Sequence, residues 1–583
     1  MLPTALIRSL TIICLVMVPG ASFSAVVAED RAVPVQRQVL GAYHAADGFT
    51  LEHNPLRQGV EVVLHHLGLH LTYADLAQGL PDEDQMAGYR GVIVWLETNR
   101  IPDAAAYWTW LDVQLRSDRR VIVLGSLGPI YDSDTDATVP ATLINAVAGR
   151  LGLRLGTRTS RMPLDIEIVH KDAGMVEFER GLQYEAIRFD EIRSLASTNE
   201  VFLRLRMKST GAISDPVVLG PRGGYAASGY IRYMDEETKK LQWRLNPFAF
   251  LERALDVTGL PRLDCTTRNG TRLYYSHIDG DGLVNRTRIQ EDKASGEIIL
   301  EQILEPYTDL PFTVSVIIAE VHPEIFGTPG TEQLARRIFS LPNVEAASHT
   351  HTHPLVWDRA IEGELGVAEY FELSGVTQNG QAVLPWVVPD YEFDPVIETV
   401  GSCKYIENEL LPSGKRCELL LWSGNCLPGP RSLAACDAGG LANMNGGDSR
   451  LDGEYPSYHY VAPLYRQHEG FYQIHSSNSN ENTYTNLWSG PFGGYVNAIQ
   501  TFANTDSPRR ILPVNVYYHF YSGERQAALE ALRIVYNWVH ERLHAREHAV
   551  EANVHTGSAH HLITESRADE PVHTNLELPV RPV

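Results

Sequence analysis

Twice in this chain an apolar, strand-like run ends on a burst of ionisable residues, and that placement constrains the fold more than any other feature. The run Arg272 to Ile278 ends on Asp279-Gly280-Asp281-Gly282, and the run Val344 to Ala347 ends on Ser348-His349-Thr350-His351-Thr352-His353-Pro354. Chemistry gathered at the carboxyl ends of strands is what parallel α/β sheets and barrels produce, because their functional loops leave from that end. One carboxylate with two imidazoles four residues apart is also a sufficient protein ligand set for a divalent metal with an open position. The second aspartate is then free to act as a base on water. Taken singly, Asp-x-Asp reads as well as a turn closing a strand, and the histidine cluster as a solvated loop. Their joint occurrence favours a metal hydrolase site.

The flanking pattern agrees with an α/β fold. Residues 37–155 alternate: Pro55 to Leu67 and Ala104 to Leu115 have helical periodicity, and Pro140 to Leu151 forms a third helix. Gly91 to Leu96 and Arg120 to Gly125 read as buried strands. Strands separated by helices predict a parallel sheet of the flavodoxin or amidotransferase type. Gly125-Ser126-Leu127-Gly128 reads as a turn, and the absence of cysteine between Glu29 and Asp264 excludes a Cys-nucleophile amidotransferase. From about 160 the pattern becomes β-rich, with strands at Val201 to Arg206, Tyr230 to Tyr233 and Leu241 to Leu245 and a helix opening at Asn246-Pro247. The second half alternates again: a helix at Glu291 to Leu304, a strand at Thr313 to Ala319, a helix at Thr331 to Ser340. Strands follow at Leu419 to Leu421, Tyr472 to His475 and Leu512 to Tyr518, and then a last helix at Glu524 to Arg542. The expected organisation is a segment 1–28 for targeting, a non-catalytic α/β domain with a β-rich extension over 37–258, a (β/α) barrel over 265–546, and a loosely ordered tail over 547–583.

Arg8, the apolar stretch Leu10 to Val18 and the small residues Val26-Val27-Ala28 before Glu29 read as a secretory signal peptide, with an uncleaved N-terminal anchor as the alternative. The expectation is an exported protein, periplasmic in a Gram-negative cell, with no transmembrane segment after cleavage. A net charge of −23 argues against nucleic acid or an anionic membrane as partner and suits a neutral or cationic polymer. Cys403, Cys417, Cys426 and Cys436 crowd one segment, which in an oxidising compartment suggests two disulfides. Pairing Cys403 with Cys417 and Cys426 with Cys436 closes the shortest loops and leaves Cys265 free. A zinc site from the four is disfavoured because no Cys-x2-Cys spacing occurs.

With these motifs in place, residues 265–545 resemble the polysaccharide deacetylases of carbohydrate esterase family 4, and more narrowly the deacetylase domain of Pel exopolysaccharide modification proteins. His277-Ile278-Asp279-Gly280-Asp281-Gly282 stands where the family has Thr-Phe-Asp-Asp-Gly. His349-Thr350-His351-Thr352-His353 meets its His-Ser/Thr-x-x-His element, and Val514 to Tyr521 resembles the segment of its late catalytic histidine. The preceding α/β region resembles the one before that deacetylase, without the glycosidase barrel. The resemblance implies an irregular (β/α) barrel of the NodB type that removes N-acetyl groups from an exported polysaccharide of N-acetylhexosamines, with the export machinery as a partner.

Carried over by position, the resemblance implies Asp279 as general base and His519 as general acid. Asp281, His349 and His353 hold one divalent metal, Zn²⁺ with Co²⁺ or Ni²⁺ as alternatives. A satisfied core histidine competes for His519, and His351 is expected to face away from the ligands. The family's Arg-x-Pro-Tyr element, whose arginine orients the base, has no clear counterpart here; the nearest segment is Trp422 to Pro428 with Arg431 beyond, and Asn445 to Arg450 offers a polar wall instead. Trp422, Asp448 and Trp488 are candidate substrate contacts, and Asp448 a candidate for orienting His519. Core packing or a plain surface loop is the alternative for each. Peptidoglycan or O-acetyl ester deacetylation, or a vestigial polysaccharide-binding or export-scaffold role, are the rival readings.

Overall fold

A computed structural model describes residues 33–51, 53–182, 188–262, 266–268, 271–357, 377–378, 381–382, 388–544, 554–556 and 577–578. The expected signal segment and Cys265 lie outside these residues. Gln36–Pro571 form one compact unit; the two chain ends form another, within which Val33–Pro34 pairs antiparallel with Glu577–Leu578.

The first sheet has eight strands, ordered His70–Asp75, Gln38–Tyr43, Tyr89–Leu96, Arg120–Gly125, Gly223–Ala227, Ile213–Gly220, Glu200–Met207 and Ile166–Lys171. The first five are parallel, in the 2-1-3-4-5 order of a doubly wound flavodoxin-like sheet. The last three are antiparallel and form the β-rich extension. Valine, isoleucine and leucine fill the central strands because both faces are covered. Helices fall close to the expected spans, at Leu56–His66, Ala104–Arg116 and Ala141–Leu151. Asn246 caps the helix Pro247–Ala254 by accepting from the Ala249 N–H at 3.1 Å.

The second sheet runs Val514–His519, Thr271–Asp279, Phe312–Val316, Val344–Ser348, Cys417–Leu421, Ala442–Met444 and Phe471–Ile474, all parallel, with Tyr465–His468 antiparallel on the outer edge. It is curled. Leu273, Tyr275, Ala347, Leu419, Leu421 and Met444 meet in one inner cluster although they come from different strands. Tyr275 Oη lies 3.1 Å from Ser477 Oγ, and the Ser477 N–H reaches Asn515 Oδ1 at 3.2 Å, so side chains bridge the gap between the first and last parallel strands. Among the described residues no backbone pairing closes that gap.

Several expectations need correction. Leu451, Tyr458, Val461, Ile511 and Leu512 of the second half are buried in the first core, so the two halves share it. The strand expected over Thr313 to Ala319 stops at Val316 and turns into a short helix, Ile318–Val321. The helix expected from Glu291 begins at Ser295. In the region expected as a loose tail, Val554–Thr556 pairs in parallel with Arg272 to Tyr274. Cys403, Cys417, Cys426 and Cys436 are thiols not joined in disulfides. Cys403 and Cys417 are buried with both sulfurs near the Leu419 carbonyl, at 3.7 and 4.0 Å. The Cys426 sulfur points to the Trp422 carbonyl at 3.2 Å, while Cys436 is buried on the helix Pro430–Ala438. Among the described residues no helix is long and apolar enough to cross a membrane.

Candidate metal centre and active site

Strand ends of the curled sheet assemble the site. Asp279 is the last residue of its strand and pairs in register with His519, the last residue of the neighbouring one. Parallel register therefore brings together two residues 240 positions apart in sequence. Glycine is required at one point of the Asp-Gly-Asp-Gly turn and eases packing at the other. Gly282 has φ +81°, and a Cβ there would lie 2.4 Å from the Tyr521 ring; a Cβ on Gly280 would crowd the Ile317 N–H at 3.0 Å and His349 Cβ at 3.1 Å. The turn can thus lie against the histidine loop and present Asp281 to it.

Asp281, His349 and His353 each offer one ligand atom, and these atoms all lie within 4.8 Å of one another. Asp281 Oδ1 is 2.8 Å from His353 Nε2 and 3.7 Å from His349 Nε2. The donor set fits a divalent cation on two further observations. His349 Nδ1 lies 3.0 Å from the Leu421 carbonyl, which fixes the proton there and leaves Nε2 as the free donor. His353 Nε2 is buried and makes no hydrogen bond of acceptable geometry despite its nearness to Asp281. His351 instead lies against Tyr391, with ring centroids 5.3 Å apart, and takes no part.

The histidine loop is held from outside. Thr350 and His353 adopt φ values of +73° and +59°, a region non-glycine residues rarely occupy. Glu398, wholly buried, accepts from the His351 N–H at 2.8 Å, the Thr352 N–H at 2.9 Å, the Thr352 hydroxyl and Tyr391 Oη at 2.8 Å. Ile318 and Ala319 donate their N–H groups to the Thr350 and His351 carbonyls at 3.1 and 2.9 Å. That short helix also carries Glu320, a buried carboxyl with one oxygen unpartnered, raised to about 8 by burial and by the charge of Asp281.

Asp279 and His519 occupy the other side of the site. His519 Nε2 is 3.4 Å from Asp279 Oδ2 and 3.7 Å from Asp281 Oδ2. Burial acts to raise the Asp279 carboxyl, but the facing His349 and His519 outweigh it and hold it below the usual carboxylate range. Burial acts to lower His519, and Glu481 and Asp279 more than reverse it, so the imidazole is held well above its ordinary value. The orienting partner of His519 is therefore Glu481, not Asp448. Glu481 was missed because it sits 38 positions upstream in a polar Ser-Asn-Glu-Asn stretch that looks like surface loop.

Asn445, expected only as part of a polar wall over Asn445 to Arg450, and Tyr517, expected only as part of the late-histidine segment, are partners of the base. Asn445 Nδ2 lies 3.0 and 3.3 Å from the two Asp279 oxygens, and Tyr517 Oη donates to Oδ2 at 2.6 Å. The absence of the arginine element was the available signal, since a buried carboxylate needs donors from somewhere.

The proposed substrate contacts fare differently. Trp422 is a core residue: its ring is fully buried, packs edge-on against Trp357 and donates from Nε1 to Asn443 at 3.0 Å. Strand alternation explains this, since Trp422 shares the outward parity of Leu420 while Leu419 and Leu421 face inward. Asp448 is exposed on the loop after Asn445, with φ +46°, near enough to His519 for their charges to interact. Trp488 is half-buried, stacked on Phe492 at 6.3 Å and edge-on to Tyr521 at 6.2 Å.

No family model matches the chain, and no curated protein matches it. Among solved structures, a 4-alpha-glucanotransferase from Thermococcus litoralis aligns over 50% of this chain and 38% of its own, at 10% identity and a TM-score of 0.28. A beta-galactosidase from Rahnella sp. R3 aligns over 41% and 34%, at 13% identity and a TM-score of 0.25. The chain spans less than two fifths of the length of either, and so slight a likeness carries no argument about fold or activity.

Proposed function

We propose that the chain is a metal-dependent deacetylase that removes N-acetyl groups from an exported polysaccharide of N-acetylhexosamines, in a barrel of the polysaccharide deacetylase type. The observation that carries this reading is the meeting of a possible metal triad, Asp281, His349 and His353, with a separate buried Asp279–His519 pair at the same strand ends. Amide hydrolysis needs both halves: charge stabilisation for the carbonyl, and a base and an acid on either side of it.

Asp281, His349 and His353 would hold the ion, and zinc suits one carboxylate with two imidazoles, as do cobalt and nickel. A divalent cation there lowers the pKa of water and polarises the acetamide carbonyl. Asp279 accepts the proton as the water oxygen bonds to the acetyl carbon. His519, held protonated by Glu481, gives its Nε2 proton to the nitrogen as the C–N bond breaks, releasing acetate and a free amine. Asp448 and the Trp488 ring supply a polar and an aromatic wall for a sugar. The net charge of −23 favours a neutral or cationic polymer, which partial deacetylation would produce. Export across the inner membrane, and action beside an export machine, belong to the same proposal.

Acetate release from a poly-N-acetylhexosamine, with and without chelator, tests the reading. Chelator-sensitive release is expected. Release only from O-acetyl esters, or none from any acetylated polymer by metal-loaded protein, would reject it.

A further inference from the structure

We infer that Asn445 and Tyr517 are positioning residues that hold the base Asp279 through two neutral donors, where the resembling family uses an arginine. The inference rests on the deacetylase reading and extends it to residues that no comparison assigns.

Asn445 has its side-chain capacity filled. Its amide nitrogen donates to both Asp279 oxygens and to the Trp422 carbonyl at 2.9 Å, and its Oδ1 faces His277 Nε2 at 3.1 Å. His277 is itself oriented, because Asn515 Nδ2 lies 3.0 Å from its Nδ1, which places the imidazole proton on Nε2 and aims it at Asn445. The Asn445 side chain is therefore locked amide-first towards the base. Its backbone is held at φ +118° in a fully buried position, where an L-residue is strained. Such strain persists only where the surroundings over-determine it, and it concentrates at working sites. Gln473 Nε2 holds the Asn445 carbonyl at 2.8 Å and Ile474 O takes its N–H at 3.1 Å, which supplies that over-determination.

Tyr517 completes the hold. Its ring stacks on His277 with centroids 4.0 Å apart, and its own N–H donates to Tyr495 Oη at 2.8 Å. Its hydroxyl therefore arrives at Asp279 from a fixed direction. The two donors leave lone pairs of the carboxylate free to take a proton from water. Being neutral, they add no further positive charge to that of His519, 3.4 Å from Asp279 Oδ2.

The test is a double-mutant cycle on the metal-loaded full chain. Tyr517→Phe removes one hydroxyl, and Asn445→Gly removes the amide while tolerating the positive φ. Each is made alone and on an Asp279→Asn background, with acetate release from an N-acetylhexosamine oligomer as the assay. Each single variant is expected to lose about 10- to 100-fold in kcat from a misplaced base, with KM and metal content within about twofold of wild type. On the Asp279→Asn background each should cost less than about twofold, because nothing remains to be positioned. Equal losses on both backgrounds would overturn the inference. If wild type releases no acetate, the deacetylase reading fails separately. A crystal structure of metal-loaded Tyr517→Phe then decides: an Asp279 carboxylate turned from its present orientation supports the inference, and an unmoved one ends it.

Discussion

Glu481 grips His519 at two points: Oε1 lies 2.9 Å from His519 Nδ1, and Oε2 takes the His519 backbone N–H at 3.0 Å. One carboxylate thus sets the ring's rotation, its protonated nitrogen and its charge together. Burial alone would lower the imidazolium, and Glu481 is the first of the groups that reverse this. An acid must be protonated to act, so the alkaline limb of kcat against pH marks its loss of the proton. Glu481→Gln keeps the shape but removes the charge. The His519 pKa should fall, and the alkaline limb of the pH–kcat profile should move to lower pH. A limb that stays in place would show that another group controls it.

Glu398 makes a second prediction, on metal affinity rather than chemistry. Its carboxylate receives four hydrogen bonds, three from the turn between His349 and His353, while Thr350 and His353 carry left-handed backbone. Glu398→Gln turns one acceptor into a donor and forces a mismatch with the loop's N–H groups. Outer-sphere losses of this kind cost about 10- to 100-fold in metal affinity. Competition with a chromogenic chelator should register that loss. Affinity equal to wild type would mean the loop holds its shape without Glu398.

The sequence was informative where chemistry sits on one continuous element. Asp279, Asp281, His349 and His353 could be placed because a strand's end is visible as an apolar run meeting polar residues, and His519 follows such a run too. The parallel sheets were legible for the same reason, as Arg120–Gly125 shows, matching its expected span. Partners brought in by tertiary contact were not. Asn445, Glu481 and Glu398 lie in segments whose local pattern is that of a loop or a mixed helix, and their meaning arises only from neighbours tens of residues away or more. Trp422 failed differently: strand parity decides whether such a residue faces the site or the helices, and its strand was expected two residues short, over Leu419 to Leu421. The Cys426–Cys436 pairing failed because nearness in sequence says nothing of sulfur direction, as the Cys426 sulfur aimed at the Trp422 carbonyl illustrates; the Cys403 and Cys417 sulfurs do meet, but as thiols at the Leu419 carbonyl.

Trp488 carries a prediction about substrate binding. Asn486, Leu487 and Trp488 have consecutive φ values of +48°, +50° and +62°, a left-handed run with no glycine in it. The Trp488 Nε1 is buried without a hydrogen-bond partner, although indole N–H groups usually find one. Under the proposed function this ring, edge-on to Tyr521 at 6.2 Å, is the aromatic wall for a sugar. Trp488→Ala should raise KM for a polymeric substrate by about tenfold, the worth of one aromatic contact at about 1.4 kcal/mol. For a single acetylated hexosamine, which spans fewer contacts, kcat/KM should change less. An equal effect on both substrates would place Trp488 in the fold rather than in a binding wall.

Asp279 and Asp281 flank a single glycine and both lie near His349 and His519, yet their surroundings assign them different work. Asp281 points its Oδ1 at both histidine Nε2 atoms, at 2.8 and 3.7 Å, and belongs to the ligand set. Asp279 is bound by Asn445 and Tyr517 and faces His519, with no ligand-quality contact to His353. Asp279→Asn preserves size but cannot accept a proton, so turnover should fall by about two to four orders of magnitude, the range of a general base. Its metal content by elemental analysis should stay near one per chain. Asp281→Asn should lose metal first, as should His349→Ala and His353→Ala, and excess metal should restore part of the activity of Asp281→Asn only. A metal-free Asp279→Asn, or a fully loaded His349→Ala/His353→Ala double variant, would reverse the assignment of base and ligands.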